Sequence, residues 1–140
     1  MKALYKKVGI VGTGAMGRGI AQLAAQAGSH VVLFDAMALA ASNAQQALID
    51  QWATLANKGK ISTEDASVFA QQLSVANELS ALADCDLIIE AIKEDLNIKQ
   101  SLFKSLEAIV QPNCVLASNT SSLSITAIAA IFTISSTLAP

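Results

Sequence analysis

The feature that most restricts the fold of this 140-residue chain is Gly12-Thr13-Gly14-Ala15-Met16-Gly17, set between a short apolar run and a helical pattern. The run before it, Lys7 to Val11, suits a strand buried on both faces of a parallel sheet. After it, Met16, Ile20, Leu23, Ala24 and Ala27 share one helical face. Gly28 stands where a left-handed helix cap belongs. A second apolar run, Val31 to Phe34, ends on Asp35. Strand, glycine turn, helix and strand make one βαβ unit, because parallel strands need a crossover between them.

Each glycine in a G-x-G-x-x-G turn of this kind has a task. Gly12 permits the sharp exit from the strand. Gly14 lets a pyrophosphate approach the backbone, and Gly17 lets the helix lie close to the strand. Thr13, Ala15 and Met16 complete the loop, whose helix N-terminus offers free N–H groups to an anion. Asp35, at the end of the second strand, is placed to accept hydrogen bonds from an adenosine ribose and to repel a 2′-phosphate. No Arg follows it in Ala36-Met37-Ala38. The expected cofactor is therefore NAD rather than NADP. The plainer alternative for Asp35, an N-cap of the next helix, is compatible with that role.

Further along, Ala36 to Asn57 reads as one long helix ended by Lys58-Gly59-Lys60. Ser62 with Asp65 resembles a capping box for a second helix reaching Gln72. Leu73 to Ala76 is a weak third strand and Leu87 to Ala91 a strong fourth. Leu96 to Val110 is a helix with Leu102, Phe103, Leu106 and Ile109 as its buried stripe. Pro112-Asn113 marks a turn, Val115 to Ala117 a fifth strand, and Leu123 to Ala130 a last helix. The alternation predicts an α/β fold, a Rossmann-type doubly wound parallel sheet with a long helical hairpin inserted after the second strand. Residues 1–130 form the expected domain, and 131–140 (IFTISSTLAP) a divergent apolar tail.

Composition excludes several other classes. With 53% hydrophobic and 14% charged residues the chain is not disordered. A net charge of −2 gives no basic footprint for nucleic acid and no pull toward an anionic membrane. Lys2, Lys6 and Lys7 precede an apolar stretch too short for an export signal, so a cytoplasmic location is the expectation. Two cysteines, Cys85 and Cys114, and one histidine, His30, support neither a disulfide framework nor a metal site. Both thiols read as packed or strand-edge residues, and Trp52, Met37 and Met16 as packing residues. His30 precedes the second strand, away from the carboxyl ends where ligands bind, and reads as a partly exposed loop residue.

Three stretches carry a resemblance to a known family. They are Val8 to Ala21, Asp86 to Lys99 (DLIIEAIKEDLNIK) continuing to Leu102-Phe103, and Ser118 to Thr126 (SNTSSLSIT). Together with the helical hairpin, they make residues 5 to about 130 resemble the NAD-binding domain of the 3-hydroxyacyl-CoA dehydrogenases. The resemblance implies that Glu94 and Lys99 lie along the cofactor and that Ala91 and Ile92 line the crevice above the fourth strand. It implies that Ser121, with Asn119 beside it, sits between the nicotinamide and the substrate's 3-oxygen. Lys58 would match a lysine that touches the CoA moiety of an acyl-CoA substrate. The placements suit the rule that ligands bind outside the carboxyl ends of the strands. Taken without the resemblance, Asn119 to Ser122 could equally be a polar loop capping a helix, and Glu94 with Lys99 a solvated helix face.

The family's proton acceptor is a histidine in an H-F-F-type segment further along than Ser121, oriented by a glutamate. An imidazole suits that work because its pKa lies near neutrality. The tail here holds no histidine. The family's helical C-terminal domain is expected to be absent, whether because the chain is a fragment or because it is a natural short product. The leading expectation is NAD-dependent interconversion of (3S)-3-hydroxyacyl-CoA and 3-oxoacyl-CoA, with poor turnover by this chain alone. A non-catalytic NAD-binding module and a related β-hydroxyacid dehydrogenase are the alternatives. An apolar surface near residues 123–140 would favour a homo-oligomer.

Overall fold

The computed structural model describes residues 5–92 and 95–118. The expected last helix and the tail lie outside the described residues. Five strands form one parallel sheet: β1 (Lys7–Val11), β2 (His30–Phe34), β3 (Leu73–Val75), β4 (Leu87–Glu90) and β5 (Val115–Ser118). Their order is β3-β2-β1-β4-β5. Chain direction across the sheet therefore reverses beside β1, between β2 and β4. A crevice opens at such a reversal, outside the carboxyl ends of the strands.

Helices cover both faces, as a parallel sheet requires. On one face α1 (Ala15–Gln26), α2 (Ala40–Asn57) and α3 (Thr63–Gln71) cover Val8, Ile10, Val31, Leu33, Leu87 and Ile89. On the other, α4 (Leu96–Ile109) and a 3-10 turn at Leu79–Leu82 cover Val11, Val32 and Ile88. Neighbouring strand residues go to opposite faces, the period-two alternation of a strand. The hairpin of α2 and α3 docks through Trp52, which is buried, lies 5.5 Å from the Phe69 ring, and donates its indole N–H to Gln26 at 2.9 Å.

Several details differ from the sequence reading. Helix α2 starts at Ala40, not Ala36. The Asp35 carboxylate accepts from the Met37 N–H at 2.9 Å, and Leu39 adopts a left-handed backbone (φ 67°), so the chain turns before the helix can begin. The 3-10 turn was not foreseen. In α1 the buried face includes Ala21 and Ala25, while Met16 is exposed; Met37 is more exposed still. Neither methionine packs in the core, because one stands in the first turn of α1 and the other in the turn after β2. His30 is the first residue of β2, with its ring 3.3 Å from the Ser74 hydroxyl. Gly28 does take the left-handed cap (φ 99°), its N–H bonding Ala25 and that of Ser29 bonding Ala24. The Ser62 hydroxyl caps α3 by accepting from Asp65 N–H at 2.9 Å.

Cys85 lies under the sheet against Gly9 and Ile88, and burial pushes its thiol up to about 12. Burial also raises Cys114, which is only half-buried. In the folded chain an aromatic disulfide reagent is expected to label Cys114 at least ~100-fold faster than Cys85, since a buried thiol reacts only after local opening. Equal labelling rates in native buffer would contradict the packing of Cys85.

Candidate NAD site

The glycine turn is held from three directions. Gly12 leaves β1 with φ 100° and donates its N–H to Phe34 on β2 at 2.9 Å. A Cβ there would stand 2.7 Å from the carbonyl oxygen of Ala91, which follows β4. A Cβ on Gly17 would fall 1.8 Å from the Gly12 carbonyl oxygen, so α1 rests directly on the loop. Both glycines are demanded by the protein's own packing.

Gly14 is different. It is the N-cap of α1, it is exposed, its φ is −69°, and a Cβ there would meet nothing within 4 Å. Nothing inside the chain asks for a glycine, so the open space in front of it is the cradle a side chain would fill. The first intrahelical bond runs from Arg18 N–H to Gly14 C=O, which leaves the N–H groups of Ala15, Met16 and Gly17 at the helix end. The first turn holds no acidic residue. The end of α1 is accordingly an open, partly positive surface fitted to a pyrophosphate.

Asp35 closes the opposite side. One carboxylate oxygen accepts from Thr13 N–H at 2.7 Å and from the Thr13 hydroxyl at 2.8 Å, while the other accepts from Met37 N–H. Burial works against ionisation, and the bonds from Met37 and Thr13 outweigh it, holding the carboxyl below its ordinary 3.8. An acceptor ionised at neutral pH, with lone pairs to spare beside the helix end, matches an adenosine ribose and disfavours a phosphate on it. The role of Thr13 as the clasp between loop and carboxylate was not read from the sequence beyond its place in the motif.

On the other side of β1, the carboxyl end of β4 holds a charged cluster. Glu90 is completely buried. Its Oε2 accepts from Ile92 N–H at 2.6 Å and its Oε1 from the Ser118 hydroxyl at 2.7 Å. The Lys99 ammonium lies 3.3 Å from Oε1 and is itself nearly buried. Lys99 is thus part of an internal network and not a solvated helix face. Ala91 and Ile92 are half-buried beside Gly12. The sequence places Glu90 at the carboxyl end of the fourth strand without a role of its own; the signal for one is a lone carboxylate ending the apolar run Leu87-Ile88-Ile89. Glu94, Asn119 and Ser121 lie outside the described residues. Lys58 is exposed at the C-cap of α2, a helix of 18 residues away from the turn after Asp35. At 1.5 Å per residue that helix is about 27 Å long.

Comparison with known proteins agrees with this geometry. Residues 7–138 match the family described as 3-hydroxyacyl-CoA dehydrogenase, NAD binding domain. A 3-hydroxybutyryl-CoA dehydrogenase of Bradyrhizobium diazoefficiens is 42% identical over 131 residues, covering 93% of this chain and 44% of that protein. The crystal structure of 3-hydroxybutyryl-CoA dehydrogenase from Escherichia coli superposes with a TM-score of 0.81 at 38% identity, over 91% of this chain and 27% of the other. FadB2 of Mycobacterium tuberculosis gives 0.78 at 34% identity, over 90% and 45%. The chain spans less than half the length of these relatives. The match over residues 7–138, with relatives 34–42% identical, places the chain in the 3-hydroxyacyl-CoA dehydrogenase family, as its NAD-binding domain.

Proposed function

We propose that these residues form the cofactor half of an enzyme that interconverts (3S)-3-hydroxyacyl-CoA and 3-oxoacyl-CoA, with short acyl chains such as 3-hydroxybutyryl-CoA. The observation that carries this reading is the pairing of the empty-sided Gly14 with the ionised Asp35 across one glycine turn. Bound NAD supplies the hydride acceptor. The α1 end and Asp35 bind and orient it; Ala91, Ile92 and Lys99 bound the crevice beyond β4, and Glu94 is proposed as a further cofactor-binding residue. Ser121 and Asn119, following β5, are the groups proposed to orient the substrate oxygen, and Lys58 to meet the CoA moiety.

Proton transfer needs a base within hydrogen-bond reach of the alcohol. The single histidine, His30, stands at the amino end of β2, a strand's length from Asp35. It cannot serve the crevice. The 140-residue chain is expected to bind NADH, to prefer it to NADPH, and to consume NADH slowly or not at all with acetoacetyl-CoA. Calorimetric titration and absorbance at the NADH band test this. A chain that binds neither nucleotide, or prefers NADPH, would refute the cofactor reading; rapid NADH consumption would refute the assignment of the base to a residue other than those present.

A further inference from the structure

We infer that Glu90 is a positioning residue for the nicotinamide half of the cofactor; this rests on the NAD reading above. Being fully buried, Glu90 cannot touch the dinucleotide. What it touches are three separate segments that reach the crevice: the connection after β4 through Ile92 N–H, the end of β5 through the Ser118 hydroxyl, and α4 through Lys99. In the sheet register Glu90 pairs with Val11 on one side and with Ser118 on the other. It therefore sits beside the residue that precedes Gly12, with Ala91 packed on Gly12 itself.

Stability gives no reason for a carboxylate at this point. Ile88 and Ile89 precede it, and a buried charge pair is often matched or bettered by apolar side chains of similar volume. A carboxylate does what an apolar side chain cannot. It fixes a backbone N–H, a hydroxyl and an ammonium at set distances from one another.

The sheet order supplies the direction. Asp35, directly after β2, takes the adenosine ribose on one side of β1. A dinucleotide whose pyrophosphate lies over the β1 turn continues to the other side, over β4 and β5. The segments that Glu90 ties together are those on that second side. The adenosine side has its own clasp, Asp35 with Thr13 and Met37, in which Glu90 takes no part.

The test compares NADH with ADP, which lacks the nicotinamide half, by calorimetry on the whole chain. Glu90→Gln keeps the shape and removes the charge. It is expected to weaken NADH about ten-fold and ADP less than about two-fold, as the loss of a charged hydrogen-bond partner predicts. The emission of bound NADH, which reports the surroundings of the nicotinamide ring, is expected to shift toward that of free NADH. Ser118→Ala removes one tie and leaves the ion pair; a loss of about three-fold for NADH alone is expected. It also decides the matter if Glu90→Gln does not fold. Unchanged NADH binding in the variants, or equal losses for NADH and ADP, would overturn the positioning role while leaving the NAD reading intact. A wild-type chain that binds neither ligand would overturn the NAD reading itself.

Discussion

Gly17→Ala is expected to destabilise the chain by roughly 2–3 kcal/mol, whereas Gly14→Ala leaves the fold intact and removes most of the affinity for NAD. In an exposed helix the first substitution would be favourable by up to about 1 kcal/mol, since glycine wastes backbone entropy there. At Gly17 that gain is overwhelmed. The new Cβ would stand 1.8 Å from the Gly12 carbonyl oxygen and 3.4 Å from Ile10, so α1 must lift off β1 and give up close packing along Ile20, Ala21 and Ala24. The obstructing atom is backbone and cannot swing aside. A fall in Tm of roughly 10 °C is the expected reading for a domain of this size. At Gly14 the same methyl meets nothing within 4 Å, and the cost is limited to a poorer N-cap, about 1 kcal/mol or less. It projects, however, into the space before the free N–H groups of α1. NADH affinity is expected to fall at least ~30-fold there, because the phosphate loses its approach to those donors. Thermal melts and titrations on both variants separate the effects. A Gly14→Ala chain that binds NADH normally would show that the pyrophosphate does not lie over this turn.

The contrast between these glycines also shows how far sequence carries. The motif identified all three, and the apolar runs located β1, β2, β4 and β5, because a strand buried on both faces leaves little choice of residue. The motif also separates Gly14, as the point of phosphate approach, from Gly17, as the point of close helix packing, and the position of the Gly12 carbonyl gives that separation its physical cause. The start of α2 obeys no such motif. Ala36, Met37 and Ala38 favour a helix, but the Asp35 carboxylate binds Met37 N–H and Leu39 turns left-handed, a local contest decided by a hydrogen bond. The exposure of Met16 and Met37 follows from those same turns. Glu90 is the larger omission. Its partners lie 2, 9 and 28 residues further on, and only the β4–β5 register brings Ser118 alongside. A buried charge at the end of an apolar strand was visible; the network that satisfies it was not.

Replacing Asp35 is expected to change which cofactor the domain accepts. Asp35→Asn should weaken NADH by roughly 30-fold or more, because hydrogen bonds from the ribose hydroxyls to a full charge are worth about 1.5–3 kcal/mol and those to an amide about half as much. NADPH should gain relative to NADH, since the carboxylate that repels a 2′-phosphate is gone. The substitution also loosens the clasp on Thr13, so stability must be measured alongside. Thr13→Val isolates that part. It deletes the hydroxyl bond to Asp35 but keeps the charge, and is expected to lower Tm while preserving the NADH preference. The dependence on pH follows from the direction of the Asp35 shift. The folded carboxyl titrates below its ordinary 3.8, so the stability it contributes is complete above that value and is lost as the pH falls through the lower, folded one. The preference for NADH should accordingly persist unchanged from neutral pH down to about pH 5, with Asp35 still ionised. A preference that fades over that interval, or that survives Asp35→Asn, would mean that another group reads the adenosine ribose.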